Sequence, residues 1–329
     1  MKCKGSSKSS HSETFCIRLA EKYKNIRTFV IDMQGLSILV PTYNDECLTL
    51  VRSLSDECRQ ADMPYEIIVG DDGSTDKDVV ETNRGIDLEP NCRYIINNVN
   101  RGRAAIRNFL GRQAKYDWLL FIDSDMTVVD EKFIGKYADM AEKYVDNPTV
   151  IYGGYCVPEQ SGLDSNLRYR YERSCRHEHT AEKRAERPYS DFHTSNFMIR
   201  RKDFLAHPLD ENYRHYGYED VAYGQTLRQA GIGIDHIDNP MGFCRFEDNA
   251  HFVAKTEEGL RTLAQFKDSL KDYSRLLQVV DMLRNLHAKG IASVLLRPLS
   301  LLLRHNLTGS NPSLTAFKVY KLSYLLQLI

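Results

Sequence analysis

Several features are absent from this sequence, and each absence argues against a class of protein. No apolar run approaches the roughly twenty residues needed to cross a bilayer. The nearest approach, residues 291–303, is interrupted by Arg297 and Pro298. The first residues lack the apolar core of a signal peptide, and a net charge of -1 provides no field that attracts nucleic acid. We therefore expect neither secretion, nor membrane spanning, nor nucleic-acid binding.

Two further absences concern metals and phosphates. The eight cysteines form no C-x-x-C pair and no zinc-ligand spacing. Several lie within apolar patterns, where a reduced thiol behaves as a small hydrophobic side chain, which favours the cytoplasm. There is neither a G-x-G-x-x-G nor a G-x-x-x-x-G-K-[ST] loop to cradle phosphates through backbone amides. A bound phosphate is therefore expected to be held by a metal ion and arginine.

The sequence does contain an alternation of short apolar runs with amphipathic helical patterns. Strands are predicted at residues 36–40, 65–69, 93–96, 118–122, 149–152, 194–199 and 232–237. Helices are predicted between them, one running to Gln60 with Asn44 as its N-cap and another ending at Gly231. This order predicts an α/β fold with a mostly parallel, Rossmann-like sheet flanked by helices.

The chain is expected to have three parts. Residues 1–35 form a polar, then weakly helical N-terminal extension, residues 36–255 the α/β domain, and residues 256–329 a C-terminal helical region. The last part of that region, residues 281–329, has six Lys or Arg against one Asp, with leucine-rich apolar faces. Two interpretations stay open: these helices cap the α/β domain, or they contact an anionic membrane surface as a peripheral anchor.

Polar clusters follow four of the predicted strands, at residues 41–44, 71–76, 100–103 and 123–125. Ligands of parallel sheets bind outside the carboxyl ends of the strands, so all four clusters are expected to converge on one crevice. Pro41 is expected to end the first strand, because proline removes a backbone donor. Residues 163–187 are expected either to cover the crevice as a helix and loop or to form a solvated amphipathic segment.

The strand Trp118–Ile122 is followed at once by two carboxylates, Asp123 and Asp125. Alternate residues of a strand share a face, so the two acids can point into one space. Like charges this close repel each other unless a cation lies between them, and a divalent ion with oxygen ligands is the usual solution. The pattern indicates a metal site, although a solvated loop after a core strand has the same local sequence.

Other residues favour a nucleotide in the same crevice. Asp72 can accept a hydrogen bond from the N3–H of uracil, whereas adenine offers no donor there. Arg103 can pair with a phosphate, and Asp125 with a divalent ion can bind a diphosphate. These residue types favour a uridine diphosphate compound over ATP.

Five segments together resemble the family 2 inverting glycosyltransferases of the GT-A fold. They are Leu36–Asn44, Ile67–Asp76, Asn100–Asn108, Phe121–Asp125 and Gly217–Asp220, within a similarity that extends from about residue 36 to 250. The resemblance implies that the nucleotide sugar is held by Pro41, Thr42, Tyr43, Asp72, Arg103, Asp123 and Ser124. It implies Mn²⁺ or Mg²⁺ on Asp123 and Asp125, Asp220 as the catalytic base, and Glu219 as a residue that seats the acceptor.

The implied reaction is a single in-line displacement. Asp220 takes the proton of an acceptor hydroxyl as its oxygen attacks the anomeric carbon of a nucleotide-diphosphate sugar, with a UDP-sugar favoured. The acceptor would be a glycan or a lipid-linked sugar in glycan, capsule or cell-envelope polysaccharide synthesis. The chain lacks the Q-x-x-R-W motif of processive synthases, which favours transfer of one sugar. Without the resemblance, Glu219 and Asp220 equally suit a helix N-terminus stabilised by acids.

One departure from the family pattern keeps other functions open. Many members have a histidine after the last core strand that completes the metal site, and Phe243 or a neighbour stands there in this chain. His251 is the nearest later candidate. The alternatives are a non-catalytic sugar-nucleotide-binding relative and a sugar nucleotidyltransferase, although the latter usually has a glycine-rich basic loop after its first strand, which residues 41–44 are not.

Overall fold

The computed structural model describes residues 35–144 and 147–329. The expectations for residues 1–34 concern a part of the chain outside this range. The main sheet has seven strands, which are β1 Leu36–Thr42, β2 Tyr65–Asp71, β3 Cys92–Ile96, β4 Trp118–Ile122, β6 Thr149–Tyr152, β8 Asn196–Arg200 and β9 Gly233–His236. Their order across the sheet is β3-β2-β1-β4-β8-β6-β9.

The sheet is mostly parallel, as predicted. β1 is an inner strand and pairs in parallel with β2 on one side and with the central strand β4 on the other. β8 is antiparallel to both of its neighbours, β4 and β6. The carboxyl ends of the parallel strands therefore lie at one edge, which is where the polar clusters follow them.

Helices cover both faces of this sheet. Their bounds are α1 Leu48–Gln60, α2 Lys77–Asn83, α3 Arg103–Gln113, α4 Phe133–Lys143, α5 Leu167–Cys175, α6 Ala181–Ala185, α7 Arg201–Ala206 and α8 Glu219–Gln229. Alternate residues of the strands enter opposite cores: Ile38 packs in the cluster that contains residues of α1 and α4, and Leu39 in the cluster that contains residues of α3, α7 and α8. This alternation is the pattern of strands buried on both sides.

Two local predictions were wrong. β1 continues through Pro41 to Thr42, because its pairing with β4 has already ended at Leu39 and β2 still pairs beside Pro41. Asn44 does not cap α1, whose N-cap position is Cys47. Asn44 instead has a positive φ of 51° and uses its side chain to bind a neighbouring loop.

A second, three-stranded sheet lies beside the first and has the order β5-β10-β7. Its strands are β5 Met126–Thr127, β7 Tyr155–Cys156 and β10 Met241–Phe243. β5 begins one residue after Asp125, and β10 ends at Phe243. This small sheet therefore brings the segment around the two strand-end carboxylates next to the segment expected to carry the missing histidine.

The C-terminal region is helical, as expected from the sequence. Its helices are α9 Asn249–Gln265, α10 Lys267–Leu270, α11 Arg275–Asn285, α12 Lys289–Leu296, α13 Leu299–Thr308 and α14 Leu314–Leu328. α9 passes through residue 255, the boundary placed there from the sequence. Two apolar clusters join these helices to α8 and α5. Within residues 35–144 and 147–329, no helix is both long and apolar enough to cross a membrane.

Candidate active site

Two cavities open at the carboxyl edge of the main sheet. The larger has a volume of about 630 Å³ and is lined by the loops after β1, β2 and β4 and by the segment before α3. The smaller has a volume of about 250 Å³ and is lined by α5, the segment before β8 and the N-terminus of α8. Both cavities are lined by Arg103, Asp123, Asp125, Arg168 and Tyr216. The four polar clusters therefore do meet in one crevice.

The loop after β1 forms one wall of the larger cavity. Pro41, Thr42 and Tyr43 line it, and the Tyr43 side chain is exposed. The Asn44 Oδ1 accepts hydrogen bonds from the backbone N–H groups of Thr75 and Asp76, at 2.8 and 2.9 Å. Asn44 therefore fixes the position of this loop relative to the loop after β2.

Asp72 is buried at the base of the larger cavity. Its carboxylate accepts hydrogen bonds from the backbone N–H groups of Arg101, at 3.1 Å, and Gly102, at 2.8 Å. Burial raises the pKa of Asp72, against the effect of these two donors. Gly102 has a φ of 96°, and a Cβ there would lie 2.9 Å from the Arg214 carbonyl oxygen, so this close approach requires glycine.

Asp123 is held by a buried arginine. The Arg107 guanidinium donates to Asp123 Oδ1 and, at 3.0 Å, to the Arg103 carbonyl oxygen. The Arg107 side chain is only 2% exposed, whereas that of Asp123 is 20% exposed. One carboxylate oxygen of Asp123 is thus engaged by the protein, which limits what this residue can offer to a metal ion.

Asp125 lines both cavities. Of the two acids it is the more available to a metal ion, because Arg107 engages one oxygen of Asp123. Burial and the negative charge of Asp123 raise the pKa of Asp125, and the charges of Arg168 and Arg103 oppose that rise. Between these two acids, Ser124 is buried and its carbonyl oxygen accepts a hydrogen bond from Arg245 at 2.5 Å. Two neighbouring carboxylates suit Mg²⁺ or Mn²⁺, which commonly take their other ligands from water and substrate phosphates.

The third metal ligand suggested by the family pattern is absent from the described part of the chain. There, no three or more His, Cys, Asp or Glu side chains are arranged so that they could hold a metal ion. Phe243 lines the smaller cavity, and the Arg168 guanidinium lies over its ring at 4.3 Å. His251 is not a substitute, because it lines neither cavity and pairs with Asp248 at the N-terminus of α9.

Glu219 and Asp220 open α8 at the wall of the smaller cavity. Gly217 and Tyr218, both with positive φ, precede them and set the direction of this turn. Glu219 Oε1 lies 3.6 Å from Arg103 Nη1. Burial raises the pKa of Glu219, against the positive charge of Arg103. The Glu219 carboxylate therefore faces Arg103, one of the two arginines that line both cavities.

Asp220 is paired with a histidine from the segment before β8. Its Oδ2 lies 2.6 Å from His193 Nδ1, and its Oδ1 accepts the backbone N–H of Val221 at 2.7 Å. Burial raises the pKa of Asp220, but the hydrogen bond and charge of His193 outweigh it, and the pKa is held below its usual range. An ionised Asp220 can only accept hydrogen bonds, so His193 Nδ1 donates.

Arg107, Arg168 and His193 are among the crevice residues that were not expected from the sequence. Arg107 stands in the motif Asn100–Asn108, four residues after Arg103, so helical spacing indicated that it faces the same side. Arg168 lies in residues 163–187, for which a cover over the crevice and a solvated amphipathic segment were both open, and α5 contributes Arg168 and Glu172 to the smaller cavity. His193 had no local signal, because its partner is 27 residues away.

Comparisons with known proteins agree with this architecture. The family model described as "Glycosyl transferase family 2" matches residues 37–207. The fold is similar to that of a mannosyltransferase from Pyrobaculum calidifontis in complex with GDP-Man and Mn²⁺, with a TM-score of 0.53 and 15% identity over 95% of this chain and 93% of that one. Because the identity is only 15%, this similarity shows the fold alone, which is the GT-A fold.

Curated relatives are similar over parts of their length. An uncharacterized glycosyltransferase of Haemophilus influenzae is 30% identical over 42% of this chain and 53% of its own. A chondroitin synthase of Escherichia coli is 25% identical over 66% of this chain and 35% of its own length. A hyaluronan synthase of Pasteurella multocida is 26% identical over 64% of this chain and 24% of its own length. The chain thus spans about half or less of these relatives. The family match covers more than half of this chain, which therefore belongs to glycosyl transferase family 2.

Proposed function

We propose that this enzyme transfers one sugar from a UDP-sugar to an acceptor hydroxyl, with inversion at the anomeric carbon and Asp220 as the general base. One observation carries the proposal. Asp220 lies in a cavity that shares Arg103, Asp123 and Asp125 with a second, larger cavity. A base for the acceptor and groups for a diphosphate are thus neighbours in one crevice, as a single displacement requires.

The larger cavity is the proposed nucleotide site. Asp72 lines it. Its carboxylate already accepts hydrogen bonds from Arg101, Gly102 and the Asn97 side chain, and it retains acceptor capacity for the N3–H of uracil. Pro41, Thr42 and Tyr43 supply the opposite wall. A buried carboxylate selects a base with a donor on this edge, as uracil has at N3, and disfavours adenine, which has none at N1.

Cationic side chains surround the proposed position of the diphosphate. The Arg and Lys residues that line the larger cavity are Arg103, Arg107, Arg168, Arg214, Arg245 and Lys255. Asp123 and Asp125 would hold Mn²⁺ or Mg²⁺ there, and the ion would neutralise charge that grows on the departing diphosphate. Arg103 sits between the two cavities and is oriented by Glu219 and by the Tyr216 ring, 5.0 Å from its guanidinium.

The proton of the acceptor hydroxyl goes to Asp220. As the acceptor oxygen forms its bond to the anomeric carbon, the bond from that carbon to the diphosphate oxygen breaks, and the nucleoside diphosphate leaves with the electron pair. His193 donates its Nδ1–H to Asp220 and keeps the carboxylate ionised and oriented. Glu219 remains in contact with Arg103 and is proposed to seat the acceptor.

The proposal is tested by incubating the protein with UDP-, GDP- and TDP-sugars, Mn²⁺ or Mg²⁺, and a set of glycan and lipid-linked acceptors. We expect release of nucleoside diphosphate from a UDP-sugar, and a product whose anomeric configuration, read by NMR coupling constants, is opposite to that of the donor. Retention of configuration would exclude Asp220 as the base of a single displacement. If UDP-sugars protect the protein against thermal unfolding but no acceptor is glycosylated, a non-catalytic binding relative is favoured. If the protein releases pyrophosphate from a sugar phosphate and a nucleoside triphosphate, a nucleotidyltransferase is favoured.

We place this reaction in the cytoplasm and in the synthesis of a glycan, capsule or cell-envelope polysaccharide. The cysteines within the described ranges, residues 47, 58, 92, 156, 175 and 244, are free thiols. Burial raises the pKa of Cys47 to about 12, so this thiol stays protonated and unreactive. Free thiols persist in a reducing compartment, where nucleotide sugars and lipid-linked acceptors would meet this enzyme.

A further inference from the structure

The C-terminal helices expose an unusual number of large apolar side chains. Eight of the fifteen exposed large hydrophobic residues in the described chain fall between residues 282 and 302. Six of them belong to α12 and α13 and are called here the apolar face: Ile291, Val294, Leu295, Leu299, Leu301 and Leu302. Leu301 is 78% exposed and Val294 is 72% exposed. Scattered surface leucines are normal, but a concentration of this kind marks a binding surface.

The fold itself does not account for these side chains. α12 already packs through Ala292 and Leu296 into the cluster that holds Leu325 of α14, and α13 packs through Leu307 into the cluster that holds Phe317. The residues of the apolar face belong to neither cluster. Both helices therefore bury apolar side chains against the protein and also expose apolar side chains to solvent. A helix that is apolar on both sides is expected where it lies between two apolar environments.

The charged side chains within the segment that carries the apolar face have one sign. Residues 282–329 contain no Asp and no Glu, and they include the cations Arg284, Lys289, Arg297 and Arg304. Two of these cations are paired with acids from outside the segment, Arg284 with Asp281 and Arg304 with Glu257, each at 3.0 Å. Arg297 is exposed and lies between α12 and α13, inside the apolar stretch. Leucine-rich helices with interspersed Arg and Lys suit the boundary between acyl chains and anionic headgroups.

We propose that the apolar face docks on the surface of a membrane that contains anionic lipid, with the leucines at the acyl boundary and Arg297 and its neighbours at the phosphates. On the cytoplasmic side this is the inner face of the membrane. The contact is peripheral, since α12 has eight residues and is about 12 Å long, against a hydrocarbon core of about 30 Å. None of the six side chains lines either cavity, so the surface is separate from the transfer site.

The charge pattern also argues against other occupants. A second copy of the chain would place the same net cationic segment, with Arg297 at its middle, against itself, because a twofold interface pairs identical patches. Residues 1–34 carry seven Lys or Arg against three acids, so their net charge repels this face as well. An anionic bilayer satisfies both the apolar and the cationic part of the surface.

The test uses the full chain in flotation with phosphatidylcholine vesicles that contain or lack about a third phosphatidylglycerol. We expect the wild-type chain to float with anionic vesicles only. Binding to these vesicles should weaken at least tenfold in the variant Leu295→Gln/Leu301→Gln. It should weaken about fivefold in Arg297→Gln, because each cation near the surface contributes about 1 kcal/mol. Leu88→Gln, which removes an 86% exposed leucine of the α/β domain, is the matched control and should float like the wild type. Thermal unfolding checks that all variants keep their fold.

Three results would overturn the proposal. The first is a wild-type chain that does not float with anionic vesicles. The second is a dimer in light scattering that Leu295→Gln/Leu301→Gln dissociates, which would assign the face to a second copy. The third is flotation that appears only after deletion of residues 1–34, which would assign the face to that segment. Each of these results is independent of whether the enzyme turns over a UDP-sugar.

Discussion

His193 Nδ1 lies 2.6 Å from Asp220 Oδ2, although the two residues come from different elements 27 residues apart. His193 lies before β8 and Asp220 in the first turn of α8, and both line the smaller cavity. The pair positions the proposed base and holds it ionised. Other groups around His193 are Tyr152, Tyr155, Glu172 and Asp191, which contact its ring or act on its charge.

His193→Gln should alter the pH dependence of the reaction. His193 lowers the pKa of Asp220, so its loss raises that pKa, and a base that must be ionised then requires a higher pH. We expect the acidic limb of kcat against pH to move upward and kcat at neutral pH to fall about tenfold, with the donor KM unchanged. His177→Gln, at an exposed histidine, is the control. An unshifted acidic limb would show that His193 does not act on the base.

Asp220→Asn should abolish transfer and preserve donor binding. The amide keeps the shape of the carboxylate but cannot take a proton, and loss of a general base costs about 10² to 10⁴ in rate. Donor binding is measured by isothermal titration calorimetry and transfer by release of nucleoside diphosphate. Asp268→Asn, at an exposed acid of α10, should leave both unchanged. A fully active Asp220→Asn enzyme would remove Asp220 from its assigned role.

Asp125→Asn should weaken UDP binding in the presence of Mn²⁺ and leave metal-free binding almost intact. The reason is that Asp125 is the less engaged carboxylate of the pair, since Arg107 occupies one oxygen of Asp123. We expect at least a tenfold weaker Kd with Mn²⁺, measured by calorimetry with and without a chelator. Asp139→Asn, at an exposed position of α4, is the control. Equal weakening with and without metal would mean that Asp125 does not act through the ion.

Arg107→Met should destabilise the fold. Arg107 is buried and pairs with Asp123, and removal of one partner leaves the other charge without compensation, which costs about 3 kcal/mol. Arg112→Met changes an exposed arginine of the same helix and should cost less than about 0.5 kcal/mol. Urea denaturation followed by circular dichroism compares the two. Equal free energies of unfolding would mean that the Arg107–Asp123 pair contributes little to stability.

Much of the fold could be predicted from the sequence, because strand and helix patterns are local. The apolar run Trp118–Ile122 is a central strand of the sheet, and Gly231 has the left-handed conformation expected after a helix end. Asn44 illustrates the limit of this approach. Its residue type suits an N-cap, yet its side chain binds Thr75 and Asp76 across more than thirty residues, and such a contact leaves no periodic signal.

By itself, the sequence determined that Asp72, Arg103 and Asp125 would meet at one edge of a mostly parallel sheet. The reason is that the carboxyl ends of parallel strands lie at the same edge, independent of the conformation of the loops that follow them. Only the tertiary structure decided which of these groups stay free. Arg107 occupies one oxygen of Asp123, Phe243 and Arg168 fill the place expected for a histidine, and His193 pairs with Asp220. Those pairings depend on distances between segments that are far apart in the chain. Burial and packing determine these distances, and local sequence patterns contain no information about them.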